Sequence, residues 1–276
     1  MPELPEVETV CRGLASHLVG RCFTAVEQRT EKLRIPLPER FAERLTGRRV
    51  TEVARRAKYI LVHLDNGAVM LVHLGMSGRM VIHGDPPPAP ARHDHVIFRT
   101  DAGDTIIFND ARRFGLITLT TVNELDSHPL LAELGVDPIE ETLSGAALAA
   151  LLKGKKTPIK AALLDQRVIA GIGNIYASEI LFRAGLSPRR SAHTVAGVRA
   201  ARLARAIPAV LHEAIAAGGA SLRDYVQASG ELGYFQHRFA VYDREGKPCP
   251  GCDCAGGIRR IVQSNRSTFY CPRRQR

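Results

Sequence analysis

The sequence predicts an α+β chain of more than one domain: a β-rich N-terminal half with a helix against it, a helical part, and a cysteine-bearing end. Three observations lead there. A helical period at the N-terminus gives way, from Arg21 to about Thr121, to short strand-like runs without intervening helices. From Leu143 the text becomes Ala/Leu-rich and recovers three- and four-residue spacing. Four of the six cysteines then crowd into residues 249–276.

The totals fit this division. The chain's 276 residues suffice for two domains with real cores, and 45% hydrophobic with 24% charged residues is ordinary for a globular protein. An excess of 38 Lys+Arg over 28 Asp+Glu leaves a net charge of +10, which points to a polyanionic partner, nucleic acid before membrane. No apolar run approaches the roughly 20 residues of a membrane span, and no basic-then-apolar leader opens the chain. Six cysteines without an export signal suit a reducing compartment, so a cytoplasmic, nucleoid-associated protein is expected.

Taken in order, Glu6 to about Val19 form an amphipathic helix with Val7, Val10, Cys11, Leu14 and Leu18 on its apolar stripe. Glu3, Glu6 and Glu8 place negative charge at its positive end. The expected strands are Cys22–Gln28, Val50–Ala54, Tyr59–Leu64, Ala68–His73, Arg79–His83, His95–Arg99, Thr105–Phe108 and Gly115–Leu119. Asp65-Asn66-Gly67 is a hairpin turn, and the proline run 86–90 must be a loop. The strands predict a β-sandwich or barrel. Residues 123–142, polar and proline-punctuated, read as a linker between a domain at 1–122 and a helical one at 143–235, with 236–276 as a terminal module. A helix is expected from Val195 to Ala217, with Leu203, Ile207, Leu211 and Ile215 as core and Pro208 marking a kink or break.

Several strings carry chemistry. Trimming of Met1 would leave Pro2 as a secondary amine, partly unprotonated and nucleophilic near neutral pH, with the Glu3 carboxyl group beside it. Arg55-Arg56-Ala57-Lys58 reads on its own as a charged, solvated strand edge. His73 to Gly78 (with Met76) and Asn109 to Gly115 (with Arg112 and Phe114) are strand-end tips bearing apolar or planar side chains beside cations. His93-Asp94-His95 alternates faces, which argues against a metal site. Ala162 to Phe182 is helix, glycine turn, helix, with Gly171-Ile172-Gly173-Asn174 able to bring a backbone up to a phosphate. Ser221-Leu222-Arg223-Asp224-Tyr225 lies in a loop bounded by Gly218-Gly219 and Gly233.

Together the N-terminal string MPELPEVETV, the two tips, the helix–glycine–helix and the cysteine module resemble, in order, the formamidopyrimidine-DNA glycosylase family, bifunctional enzymes that excise oxidised purines. The resemblance implies a two-layer β-sandwich with a flanking helix, a helix–two-turns–helix element and a β-hairpin zinc finger. It implies Pro2 as nucleophile, Glu3 and Lys58 as proton-transferring groups, and Arg266 as the backbone contact that assists elimination. Met76, Arg112 and Phe114 match wedge residues that fill the stack when a base is extruded. His73, His93, Lys155 and Asn174 are carried over as DNA contacts, and Ser221, Leu222, Arg223, Asp224 and Tyr225 as lesion recognition. The implied partner is duplex DNA with oxidised purines or abasic sites, bound by a monomer.

The zinc finger departs from the family pattern of two Cys-x2-Cys pairs sixteen residues apart. Here sixteen residues separate Cys254 from Cys271, and Arg274 stands where a fourth cysteine belongs. The leading expectation is one structural Zn²⁺ held by Cys249, Cys252, Cys254 and Cys271; a three-thiolate site and a metal-free hairpin are the alternatives. The last four residues read as a frayed basic tail. Two rival functions fit parts of the sequence. One is an endonuclease-eight-like glycosylase for oxidised pyrimidines. The other is a non-catalytic DNA-binding protein, which leaves Pro2, Glu3 and the wedge tips unexplained.

Overall fold

The computed structural model describes every residue of the chain except Arg223. They form two compact units: Met1–Ala132 with Ala217–Gln236, and Glu133–Ala216 with His237–Arg276.

The first unit begins with helix α1, Leu4–Leu18. Pro5 sits in its first turn, where a missing N–H costs nothing. Val7, Val10, Cys11, Leu14 and Leu18 are buried, the stripe that the spacing predicts. Eight strands follow: β1 (Phe23–Gln28), β2 (Val50–Arg56), β3 (Tyr59–Leu64), β4 (Ala68–His73), β5 (Arg79–His83), β6 (Asp94–Thr100), β7 (Thr105–Asn109) and β8 (Leu116–Thr121). They make two four-stranded antiparallel sheets, ordered β1-β6-β7-β5 and β2-β3-β4-β8, so the sandwich is observed. One continuous core joins Phe23, Phe98 and Phe108 of one sheet to Ile60, Val62, Met70, Val72 and Ile117 of the other. Each such side chain contributes about 1.5–3 kcal/mol by leaving water. The short helix α2 (Phe41–Leu45) is too brief to show a period, yet Phe41 and Leu45 are fully buried and the Phe41 ring meets Phe98 edge-on at 6.4 Å. Segment 217–236 belongs to this core through Tyr225 and Ala228, and the Ile82 N–H donates to the Ala228 carbonyl at 2.8 Å.

The second unit contains α3 (Gly145–Leu152), α4 (Ile159–Leu164), α5 (Asn174–Ala184), α6 (Val198–Ala216) and the hairpin β9 (Arg259–Gln263) with β10 (Arg266–Tyr270). Ser144 caps α3 by accepting the Ala147 N–H. Pro208 lies inside α6 without ending it, and Leu203, Ile207, Leu211 and Ile215 are buried as spaced. Residues 133–142 are tied into this unit, with the Gly135 N–H on the Gln166 carbonyl and Val136 bridged to Ile169. Ser264 and Asn265 both take positive φ at the hairpin turn, the backbone that matches strand twist. The last four residues are docked, contrary to the frayed tail the sequence suggests. Gln275 is buried, accepts the Cys271 N–H at 2.8 Å and donates to the Leu186 carbonyl at 2.9 Å. Among the described residues no helix is long and apolar enough to cross a membrane.

Candidate functional site

At the chain's start, Pro2 is buried while Met1 is half-exposed. Glu3 is the N-cap of α1 and forms a capping box with Glu6: the Glu3 side chain accepts the Glu6 N–H, and the Glu3 N–H donates to Glu6 Oε2 at 2.8 Å. Glu3 is 3% exposed. Glu6 also reaches a distant segment: its Oε1 accepts the Ala220 N–H at 2.8 Å. Gly219 takes φ +79°, and a Cβ there would lie 3.0 Å from the Glu6 side chain, so only glycine fits both the turn and the approach. In the loop that Glu6 anchors, the Tyr225 hydroxyl donates to the Gly218 carbonyl at 3.0 Å. Burial and the Glu6 charge push the Tyr225 phenol well above its usual range. The Ser221 hydroxyl donates to the Tyr225 carbonyl at 2.9 Å and accepts the Gly233 N–H at 2.8 Å. Ser221 and Tyr225 therefore shape the loop, whereas Leu222 and Asp224 are exposed; Arg223 lies outside the described residues.

The cationic string at the end of β2 is not a solvated edge. Arg55 is buried and its Nε donates to Glu8 Oε2 of α1 at 2.8 Å. Ala57, at φ +55°, turns the chain so that Lys58 is also buried. The His73 Nδ1 accepts the Gly75 N–H at 2.9 Å, and its ring lies 5.0 Å from that of Tyr59. Burial first, then the positive charges of Lys58 and Arg34, lower the His73 imidazole to about 4. It is neutral at pH 7, with its other nitrogen left to donate. Arg34, whose charge bears on His73, is a residue that sequence reasoning did not single out, because nothing in its local text marks it.

The two tips meet directly. Gly75 takes φ +63°, and a Cβ there would run into the Phe114 backbone. Met76 and Phe114 are exposed, and the Arg112 guanidinium lies 4.8 Å over the Phe114 ring. Beside them, the His93 ring is 6.4 Å from that of His95, whose Nε2 pairs with the Asp110 carbonyl at 2.9 Å.

In the second unit, the Lys160 ammonium, 1% exposed, donates to Asn174 Oδ1 at 2.6 Å, the Ser267 carbonyl at 2.9 Å and Thr268 Oγ1 at 2.7 Å. Asn174 Nδ2 donates to the same Ser267 carbonyl at 3.0 Å. The start of α5 is thus bound to the strand carrying Arg266, which is exposed beside the hairpin turn. Lys155 is not part of this cluster; its carbonyl accepts the His193 N–H at 2.9 Å. The sequence signal for Lys160 is a lysine set among Ile159, Ala161 and Ala162, where a helix should be apolar. Glu179 of α5, buried, accepts the N–H groups of Ala240, Val241 and Tyr242 and so seats the lead-in to the hairpin.

Cys249, Cys252, Cys254 and Cys271 converge, with their Sγ atoms all within 4.8 Å of one another. Cys252 and Cys254 lie 3.4 and 3.6 Å from Cys271. Four thiolates at about 2.3 Å from a tetrahedral metal are about 3.8 Å apart, so these residues fit a closed metal site. The Gly251 and Arg274 N–H groups donate to the sulfurs of Cys249 and Cys271, each at 3.4 Å. The Cys271 thiol falls to about 7: burial opposes the shift, but the Arg274 N–H and the Cys252 and Cys249 thiols outweigh it. Arg274 closes the knuckle differently from a ligand: its Nη1 donates to the Gly251 carbonyl at 3.2 Å, and its guanidinium lies 5.1 Å over the Phe182 ring. Among the described residues this is the one group placed to hold a metal ion; the His93, Asp94 and His95 set is not one.

Residues 1–117 match the model of the formamidopyrimidine-DNA glycosylase N-terminal domain, and residues 134–226 match the model of its H2TH domain. A formamidopyrimidine-DNA glycosylase of Rhodospirillum centenum is 60% identical over the full length of both chains, and that of Rhodospirillum rubrum 57% identical over the same extent. The crystal structure of the MutM (Fpg) protein from Thermus thermophilus superposes with a TM-score of 0.87 at 39% identity, covering 99% of this chain and 98% of that one. Wild-type Lactococcus lactis Fpg in complex with N7-benzyl-Fapy-dG-containing DNA gives a TM-score of 0.89 at 29% identity over both full chains. With its sheets, helices and cysteine hairpin all accounted for in one scheme, the chain belongs to the formamidopyrimidine-DNA glycosylase family.

Proposed function

We propose that this glycosylase releases oxidised purines from duplex DNA with Pro2 as nucleophile and then cuts the strand as a lyase. The observation that carries the reading is the buried start of α1, where Pro2 adjoins a carboxyl group fixed by a capping box. Once Met1 is removed, the secondary amine of Pro2 is free at the start of α1, beside the Glu3 carboxyl group. Its nitrogen attacks the sugar C1′ and breaks the bond to the base. Glu3 gives a proton to the ring oxygen as the sugar opens to an iminium. The iminium withdraws electrons from C2′, so loss of a proton there expels the 3′ phosphate, and a second elimination expels the 5′ phosphate. Lys58, buried one turn from β2, moves protons, and Arg266 assists the second elimination. Met76, Arg112 and Phe114 fill the stack that the extruded base vacates. His73, His93 and Asn174 contact the backbone, and the 217–236 loop reads the base.

The cysteine cluster would hold one structural zinc, with Cys252 or Cys254 supplying the thiolate that position 274 lacks. Zinc there orders the hairpin and takes no part in bond breaking. The protein acts as a monomer on nucleoid DNA in the cytoplasm.

Borohydride trapping on a duplex with one 8-oxoguanine opposite cytosine tests the chemistry, because reduction freezes the iminium. A covalent band mapping to Pro2, and absent in Pro2→Gly, is expected. A band only on a thymine glycol duplex would move the substrate to oxidised pyrimidines. No band on either would leave a non-catalytic binder.

A further inference from the structure

Asp110 has a place in the fold that the chemistry above does not use. It is 0% exposed, belongs to the tip that carries Arg112 and Phe114, and faces Ser77 of the other. Its Oδ1 accepts the Ser77 hydroxyl at 2.6 Å, from the tip carrying Met76. The same oxygen accepts the Arg112 N–H at 3.3 Å, and Oδ2 accepts the Gly115 N–H at 2.7 Å, on either side of Phe114. The Ser77 oxygen in turn accepts the Arg112 N–H at 3.2 Å. Its main chain is engaged as well: the Asp110 N–H donates to the His93 carbonyl at 3.0 Å, and its carbonyl pairs with His95 Nε2 at 2.9 Å. The donors at this carboxylate are backbone N–H groups fixed by the chain and a hydroxyl whose own oxygen is held by the Arg112 N–H. A cation would satisfy its charge from many directions; these donors satisfy it from one geometry only.

We propose that Asp110 is a positioning residue that clasps the Met76 tip to the Arg112–Phe114 tip, so that the wedge enters DNA as one preformed piece. This rests on the reading of Met76, Arg112 and Phe114 as the wedge. The physical case is preorganisation. A wedge must push apart stacked bases, and any free energy used to order its own loops is lost to that task. Gly75 already brings the tips into backbone contact, but backbone contact alone leaves each free to slide. The carboxylate removes that freedom because its Oδ1 ties Ser77 of one tip to the Arg112 N–H of the other, while its Oδ2 holds the Gly115 N–H of that second tip.

The test is a stopped-flow record of 2-aminopurine fluorescence, with the probe next to an 8-oxoguanine in duplex DNA, run beside cleavage of the same duplex. Asp110→Asn keeps the shape but replaces one acceptor oxygen with an amide donor. It is expected to slow the early fluorescence rise at least tenfold. Cleavage of a duplex with a preformed abasic site should fall much less, since that substrate has no base to extrude. Ser77→Ala, which removes one donor and leaves the carboxylate in place, should slow the same step by a smaller factor with the fold intact by circular dichroism. Phe114→Ala separates the two readings. If Phe114→Ala leaves the rise unchanged, the wedge reading fails. If Phe114→Ala abolishes it while folded Asp110→Asn and Ser77→Ala keep the wild-type rate, the clasp is refuted and the wedge stands.

Discussion

Replacing Glu6 by glutamine tests whether the start of α1 and the 217–236 segment are held by one side chain. Glu6 accepts two backbone N–H groups through different oxygens, from Glu3 and from Ala220, each at 2.8 Å, and is 2% exposed. Glutamine has the same shape but one acceptor oxygen, so whichever N–H it keeps, its amide group faces the other donor. A hydrogen bond to a charged acceptor is worth about 1.5–3 kcal/mol net. The substitution should therefore cost roughly that amount in unfolding free energy, read from urea denaturation of the first unit's transition. If the lost bond also loosens the loop or the amine in the bound complex, the same energy corresponds to about a ten- to hundredfold slower borohydride trapping on 8-oxoguanine DNA. A variant with wild-type urea midpoint and wild-type trapping rate would show that Glu6 is spectator to both, and the argument from its two oxygens would be wrong.

Other expectations follow from the same kind of reading. Lys160→Met should remove three hydrogen bonds from a buried ammonium and leave Asn174 and Ser267 without their common partner. A loss of about 1.5–3 kcal/mol in stability with salt-sensitive DNA affinity reduced is expected, and unchanged denaturation would exclude the network as a support. Cys252→Ser should lower bound zinc from one per chain to well below one, by metal analysis of freshly reduced protein, whereas Arg274→Ala should retain the metal; full occupancy in Cys252→Ser would remove Cys252 from the ligand set. His73, lowered to about 4 by burial and by Lys58 and Arg34, is neutral in the folded chain while the unfolded chain protonates near 6.5. Its contribution is thus whole above pH 6.5 and lost as pH falls from there to 4, by at most about 3 kcal/mol. Urea unfolding at pH 7 and 4.5 should show a smaller acid loss in His73→Gln than in wild type; equal losses would mean the histidine is not held neutral.

The sandwich was legible in the sequence because β4, β6 and β7 bury both faces and read as unbroken apolar runs, with Ile60, Val62, Met70 and Val72 in the shared core. The hairpin was legible from its cysteines, since all four ligand candidates lie within 23 positions of each other. Long-range polar partners were not. Arg55 looks the same in sequence whether it faces water or Glu8, and Lys160 gives no hint that its acceptors lie at Ser267 and Thr268, more than a hundred residues on. The role of Arg274 was hidden for a related reason: the sequence marks it only as a missing cysteine, while its partners, Gly251 and Phe182, are set by packing.

The return of residues 217–236 to the first unit means that neither unit is a continuous stretch of polypeptide. A gene cut after codon 132 would encode a first fragment without Tyr225 and Ala228, with its core open where they belong, and the Ile82 N–H stripped of its acceptor. The other fragment would carry residues 217–236 as an insert with nothing to fold upon. Such halves should be poorly soluble when made singly and recover order when made together. Segment 217–236 is in this sense a loan from one body to the other, and shuffling domains between relatives has to move it with the N-terminal piece.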